Sequence, residues 1–298
     1  MTTAAGQLVL VATPIGNLGD LAPRAVEALR TAALICCEDT RRTGRLLQHA
    51  GVHGVRMAVT NEHTERSRVD EVVDLVGRGH DVVLVSDAGM PGISDPGQHL
   101  VRAVLDAGLP VSAVPGPTAL TMALVLSGFD TTRFVFEGFL PRSGSERTRR
   151  MTEIASERRT TVLYEAPHRI QRTVTDLAAA CGGDRRVALA RELTKMHEEL
   201  WRGPLDDAVT ALTERDARGE YVVVVEGAPV PSTAPTADVD IVAAVERELA
   251  HGSSRKDAVA LVSAALGVAK RRVFDIVAEM PRPPASSSTT HPQQEPHE

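Results

Sequence analysis

From residue 7 to residue 115, short aliphatic, β-branched runs alternate with stretches of helical spacing. QLVLVA, AALICC, GVRMAV, DVVLVS and PVSAV read as strands, and LAPRAVEALRTA, RTGRLLQHA, SRVDEVVDLVGRG and PGQHLVRAVLDAG read as the helices between them. Strands that are apolar throughout must be covered on both faces, so this alternation predicts a mostly parallel α/β sheet. In such sheets ligands meet the loops at the strands' carboxyl ends.

A second block, 116–228, opens with the apolar helix GPTALTMALVLSG. It continues with more strands per helix: RFVFEGF, TTVLYEA, RRVALAREL, a run around HEELWRG, and EYVVVVEG. That ratio predicts an α+β domain with a mixed or antiparallel sheet. Residues 229–238 have the composition of a linker. Helical periodicity returns over 239–281, and 282–298 is a low-complexity tail expected to be disordered. The expected domains are therefore 1–115, 116–228 and 239–281.

With 298 residues, 43% hydrophobic and only 3% aromatic, the chain has an aliphatic core and belongs among soluble globular proteins. Its net charge of −6 excludes an all-over basic surface but leaves room for local basic patches. Cys36, Cys37 and Cys181 lack metal-ligand spacing and read as small buried hydrophobes. No metal site is expected. No segment has the length of a membrane span, and no signal peptide is legible, which predicts a cytoplasmic protein.

Five turns fall on the loop edge of the first sheet. VATPIGNLGD carries Pro14 and Gly16, and CEDTRRTGR carries Glu38, Asp39, Arg41, Arg42 and Arg45. TNEHTER carries Glu62 and His63; SDAGMPGISDPG and AVPGPTAL complete the set. Neither a dinucleotide fingerprint nor a phosphate-binding P-loop is present. Proline- and glycine-constrained turns clustered on one edge suit a small polar ligand held by main-chain groups. For the acids and arginines of CEDTRRTGR, a helix start with solvated charges and a site facing phosphate remain equally open readings. Within SDAGMPGISDPG the spacing assigns Asp95 as the N-cap of the next helix, with Pro96 at its first position and Gln98 closing a capping box.

At these residues the sequence resembles the tetrapyrrole methylase superfamily of S-adenosylmethionine-dependent enzymes. Within it, the sequence is most similar to the branch that methylates ribose 2′-oxygens of small-subunit ribosomal RNA. The segments that carry the resemblance are VATPIGNLGDLAPRAVEAL, CEDTRRTGRLL, SDAGMPGISDPG, VPGPTALTMALVLSG, FEGFLPR, LYEAPHRI, ARELTKMHEELWRG and GEYVVVVEG, in order over about 7–227. The resemblance implies a two-domain fold with S-adenosylmethionine in the cleft between domains, a cytidine of the decoding centre as target, and a homodimer. It implies cofactor contacts at Pro14, Gly16, Asp87, Ala88, Gly89, Met90, Pro91, Thr118 and Ala119. The C-terminal stretch SRKDAVALVSAALGVAKRRVFDIV is similar to that branch's helix-turn-helix-like appendage.

A ribose hydroxyl is a very weak acid, so a nearby proton acceptor assists its methylation. Glu38, Asp39 and His63 are the leading candidates, beside Glu62, Asp87, Glu165 and His168. Expected RNA contacts are Arg41, Arg142, Arg147, Arg149 and Arg150, with Arg255, Lys256, Lys270, Arg271 and Arg272 from the C-terminal module; the alternative is that both runs are solvated helical faces. Tyr164 and Trp201 read as packing residues. The partner implied is ribosomal RNA or the small ribosomal subunit. Two other readings stay open: a tetrapyrrole or diphthamide-pathway methyltransferase, and a non-catalytic RNA-binding ribosome-assembly factor.

Overall fold

The computed structural model describes residues 6–61, 63–214, 217–229 and 237–280. The chain packs as two units that divide after Ala228.

The first unit begins with β1 (Leu8–Val11), α1 (Pro23–Thr31), β2 (Leu34–Cys37), α2 (Thr40–His49), β3 (Met57–Val59), α3 (Glu65–Gly77), β4 (Val82–Leu84), α4 (Gln98–Asp106) and β5 (Val111–Val114). All five runs read as strands form one parallel sheet, in the order β3-β2-β4-β1-β5. Two apolar layers cover it. Ala25, Leu29 and Leu47 pack on one face, and Val72, Val76, Leu100 and Val104 on the other. Cys36 and Cys37 are buried, and burial lifts both thiols, Cys36 to about 11, so neither is reactive at neutral pH.

The chain continues through α5 (Ala119–Ser127), β6 (Phe134–Phe139), α6 (Gly144–Ser156), β7 (Thr160–Glu165), α7 (Ile170–Cys181), β8 (Arg186–Arg191), β9 (Glu199–Pro204), α8 (Leu205–Thr213) and β10 (Tyr221–Val225). The second sheet has the order β6-β7-β10-β8-β9; only β6 and β7 run parallel, and the remaining neighbours are antiparallel. This is the mixed sheet expected of the second block. Every residue of β10, YVVVV, is buried at its centre. Trp201 packs against the core beneath α7 and α8, as expected.

The second unit contains α9 (Asp238–Ala250), α10 (Arg255–Leu266) and α11 (Lys270–Glu279) around Ile241, Val245, Ala258, Val262, Val273 and Val277. The Ser254 side chain accepts the Asp257 N–H to start α10, and Gly267, at φ +61°, ends it. Three residues join α10 to α11. Most of the expected linker, and the whole expected tail, lie outside the described residues.

Candidate active site

β1 and β4 are neighbours, so the loops that leave them emerge side by side. Thr13 and Gly89 tie these loops together, exchanging N–H···O bonds of 2.8 and 3.1 Å. Both main-chain groups of Gly89 are therefore used by protein and are not offered to a ligand. Gly16 serves a similar structural role across the cleft. A Cβ at this position would stand 2.4 Å from Lys195 Cγ and 3.1 Å from the Leu193 carbonyl oxygen, so glycine lets the first loop touch the turn after β8.

Between the two sheets lies a cavity of about 440 Å³. Its floor is apolar: Ile15, Ala119, Ala190, Leu193 and Val222. Ala88, Gly89, Met90 and Thr118 also line it, as do Phe139 and Tyr164. Pro14, Gly16 and Pro91 are not among its walls. Thr118 caps α5, its hydroxyl accepting the Thr121 N–H at 3.3 Å, and the Tyr164 hydroxyl accepts the Leu120 N–H at 3.2 Å. Tyr164 is thus more than a packing residue: it lines the cavity and holds the start of α5.

Several carboxyl groups also line the cavity. Glu38 Oε1 accepts the Asp87 N–H at 3.1 Å, and burial lifts the Glu38 carboxyl above its usual range. Asp87 Oδ2 pairs with Arg42 at 3.4 Å, while Asp87 Oδ1 is buried without a hydrogen-bond partner. Glu165 takes hydrogen bonds from Ala166 N–H and the Thr173 hydroxyl and an ion pair with Arg169. Lys195 bridges Glu192 and Glu220 at 2.8 and 3.0 Å.

Two expected proton acceptors fall elsewhere. The Asp39 carboxylate caps α2 by accepting the Arg41 N–H at 2.8 Å and pairs with the Arg41 guanidinium, which holds its carboxyl far below the usual range. It does not line the cavity. His63 is exposed in a turn where Asn61 Oδ1 accepts its N–H, also away from the cavity. Glu62 lies outside the described residues.

Asp95 corrects the sequence reading in the opposite direction. It is not the cap of α4, which begins at Gln98 with Gly97 before it. The cap comes from α3, where buried Glu65 accepts the N–H groups of Gly97 and Leu100. Asp95 instead lines the cavity, where burial, then the charge of Glu38, lift its carboxyl to about 7.

The basic candidates also divide. Arg147 is buried and binds Asp176, the Thr173 hydroxyl and the Pro141 carbonyl, so it is a structural residue. Arg150 pairs with Glu137, and Arg149 with Glu146 and Glu153 on its own helix. Arg41 is held by Asp39. In the second unit, Arg255 binds the Val277 and Met280 carbonyls and Arg272 pairs with Asp238. Arg142, Lys256, Lys270 and Arg271 are exposed and make no ion pair among the described residues.

Residues 7–209 match the family described as Tetrapyrrole (Corrin/Porphyrin) Methylases. The chain belongs to that family. It is 42% identical over 275 residues to "Ribosomal RNA small subunit methyltransferase I" of Synechocystis, covering 92% of this chain and 98% of the relative. It is 48% identical over 225 residues to the protein of the same name from Xylella fastidiosa, covering 75% and 82%. Among solved structures, the methyltransferase CobJ superposes with a TM-score of 0.58 at 22% identity, over 78% of this chain and 98% of that one. Uroporphyrin-III-C-methyltransferase from Thermus thermophilus gives 0.51 at 19%, over 76% and 98%. These two likenesses carry the fold.

As a member of the family, the chain is a methyltransferase, and S-adenosylmethionine is its methyl donor. The cavity fits that molecule on its own terms. It combines an apolar floor with an orphaned buried acceptor, Asp87 Oδ1, which needs a donor such as a hydroxyl or an ammonium group. When bound, the donor supplies an electrophilic methyl carbon. No cluster of candidate metal ligands occurs among the described residues.

Proposed function

We propose that this protein transfers a methyl group to the ribose 2′-oxygen of a nucleotide, a decoding-centre cytidine, in small-subunit ribosomal RNA. The observation that carries this reading is the extent of similarity: proteins named for small-subunit ribosomal RNA methylation align over 92–94% of this chain, C-terminal unit included. Asp87, Ala88, Gly89, Met90, Thr118 and Ala119 form the cofactor wall of the cleft. Arg142 of the first unit, and Lys256, Lys270 and Arg271 of the second, make phosphate contacts that orient the RNA.

The same reading places the protein in the cytoplasm, with the ribosome, as a homodimer. Among the described residues no helix is long and apolar enough to cross a membrane. The exposed edge of the first sheet supports the homodimer reading: Ser112 and Ala113 of β5 are exposed, and α5 presents Val125 to solvent at 69% exposure. Incubation with labelled S-adenosylmethionine and, in parallel, isolated small subunits, free ribosomal RNA or a porphyrinogen tests the reading. Label in the RNA supports it; label only in the porphyrinogen overturns it.

A further inference from the structure

We propose that Asp95 is the group that accepts the proton of the substrate hydroxyl in this cleft, a role that rests on the hydroxyl-methylation reading above. Three observations of geometry lead to it.

The backbone around Asp95 is forced. Gly92 and Gly97 sit at φ +83° and +137°, and between them Ser94, with a side chain, is held at +60°. A non-glycine residue in the left-handed region is strained, and such strain gathers where a side chain must be aimed. The second sheet makes room for this turn. β6 is bulged between Phe136 and Gly138, Gly138 has φ +62°, and a Cβ there would meet Ser94 Oγ at 3.2 Å.

Asp95 also does not cap the helix that follows it. The capping of α4 falls to Glu65. Among the described residues Asp95 forms no ion pair, whereas the other candidate carboxylates are committed: Asp87 to Arg42, Glu165 to Arg169, Glu192 and Glu220 to Lys195, and Glu38 Oε1 to the Asp87 N–H.

Finally, its surroundings favour a carboxyl that takes up a proton. Negative charge faces Asp95 from Glu38 after β2, Asp87 after β4 and Glu220 before β10. The Ser86 hydroxyl, by hydrogen-bonding the carboxylate, partly offsets these charges, and Tyr164 of β7 faces it. His168 lines the same cavity. Arg42 and Lys195, the cavity's cations, are held by other acids. Burial and these charges place its carboxyl at about 7, where an acceptor is matched to neutral conditions.

In the step itself the O–H bond of the hydroxyl breaks and its proton passes to an Asp95 carboxylate oxygen. An electron pair of the hydroxyl oxygen forms the new C–O bond to the methyl carbon. The electron pair of the methyl group's former C–S bond leaves with the sulfur.

The test uses the full-length chain, wild type and Asp95→Asn, in two arms. In the ligand-free protein, carbon-13 NMR of labelled aspartate side chains should show one carboxyl titrating near neutrality that Asp95→Asn removes; titration of Asp95 near 4 would overturn the proposal. In turnover, Asp95→Asn should lower kcat about 100-fold or more. S-adenosylmethionine affinity should stay within about threefold, and the acid limb of the wild-type pH–rate profile should vanish. A retained acid limb, or a kcat near wild type, would contradict the assignment. If the wild type methylates no RNA, the substrate reading fails while the NMR arm still judges Asp95.

Discussion

Glu65 Oε1, at the start of α3, accepts the Leu100 N–H of α4 at 3.0 Å, and the Gly97 N–H at 3.1 Å. One buried carboxylate thereby satisfies two orphan donors at the start of a helix that follows it by more than thirty residues. Replacing it strands both N–H groups. Glu65→Ala should cost roughly 2–3 kcal/mol of stability, read as the shift in urea midpoint, and Glu65→Gln, which keeps an acceptor oxygen, clearly less. Equal losses for the two variants would show that packing, rather than the cap, matters here.

Glu38 and Asp39 are adjacent in sequence and opposite in consequence. Asp39→Ala removes the cap of α2 and should lower the melting temperature by a few degrees while leaving kcat near wild type. Glu38→Gln removes a negative charge that opposes ionisation of Asp95. The acid limb of the pH–rate profile should therefore move to lower pH, and an unmoved limb would contradict the electrostatic account.

The Asp95 carboxyl carries a stability signature as well. Its ordinary value is about 4, and the fold lifts it to about 7. Between those values the folded chain holds a proton that the unfolded chain has released. Stability therefore falls as pH rises through this window and remains lowered above it. Asp95→Asn abolishes the effect. Its melting temperature should exceed that of wild type at pH 8, with the difference narrowing towards pH 5; the reverse trend in thermal melts would contradict this environment.

Basic residues that looked alike in sequence should separate by assay. Arg147→Gln removes the buried guanidinium that binds Asp176, the Thr173 hydroxyl and the Pro141 carbonyl, and should cost about 2 kcal/mol in denaturant melts. Lys270→Gln with Arg271→Gln should leave stability unchanged and weaken RNA binding. It should also reduce the salt dependence of that binding by about one to two units of slope. An unaltered salt slope would remove this helix from the RNA contact.

The strands of both sheets were legible because burial on two faces leaves a continuous aliphatic signature, as in LVLV, LICC and YVVVV. The loops that border the cavity were legible as proline- and glycine-constrained turns at one sheet edge. What escaped were partnerships set by tertiary contact. SDPGQ satisfies every local rule for a helix cap, yet Glu65, distant in sequence, takes that role and releases Asp95 to the cavity. The run SERTRR reads as an exposed basic face suited to RNA, yet Arg147 lies on the helix stripe that points inward and meets Asp176. The contributions of Lys195, Glu192 and Glu220 depend on the turn after β8 folding against Gly16, which no local pattern announces.

The central claim is tested most directly by locating the transferred methyl group. Small subunits from cells that lack the activity, incubated with the purified protein and S-adenosylmethionine, can be digested with nuclease and their nucleosides resolved by mass spectrometry. The account predicts one added methyl group on the ribose of a single small-subunit nucleotide, resistant to alkaline cleavage at its 3′ side. A methyl group on a base, or none on the RNA, would contradict it.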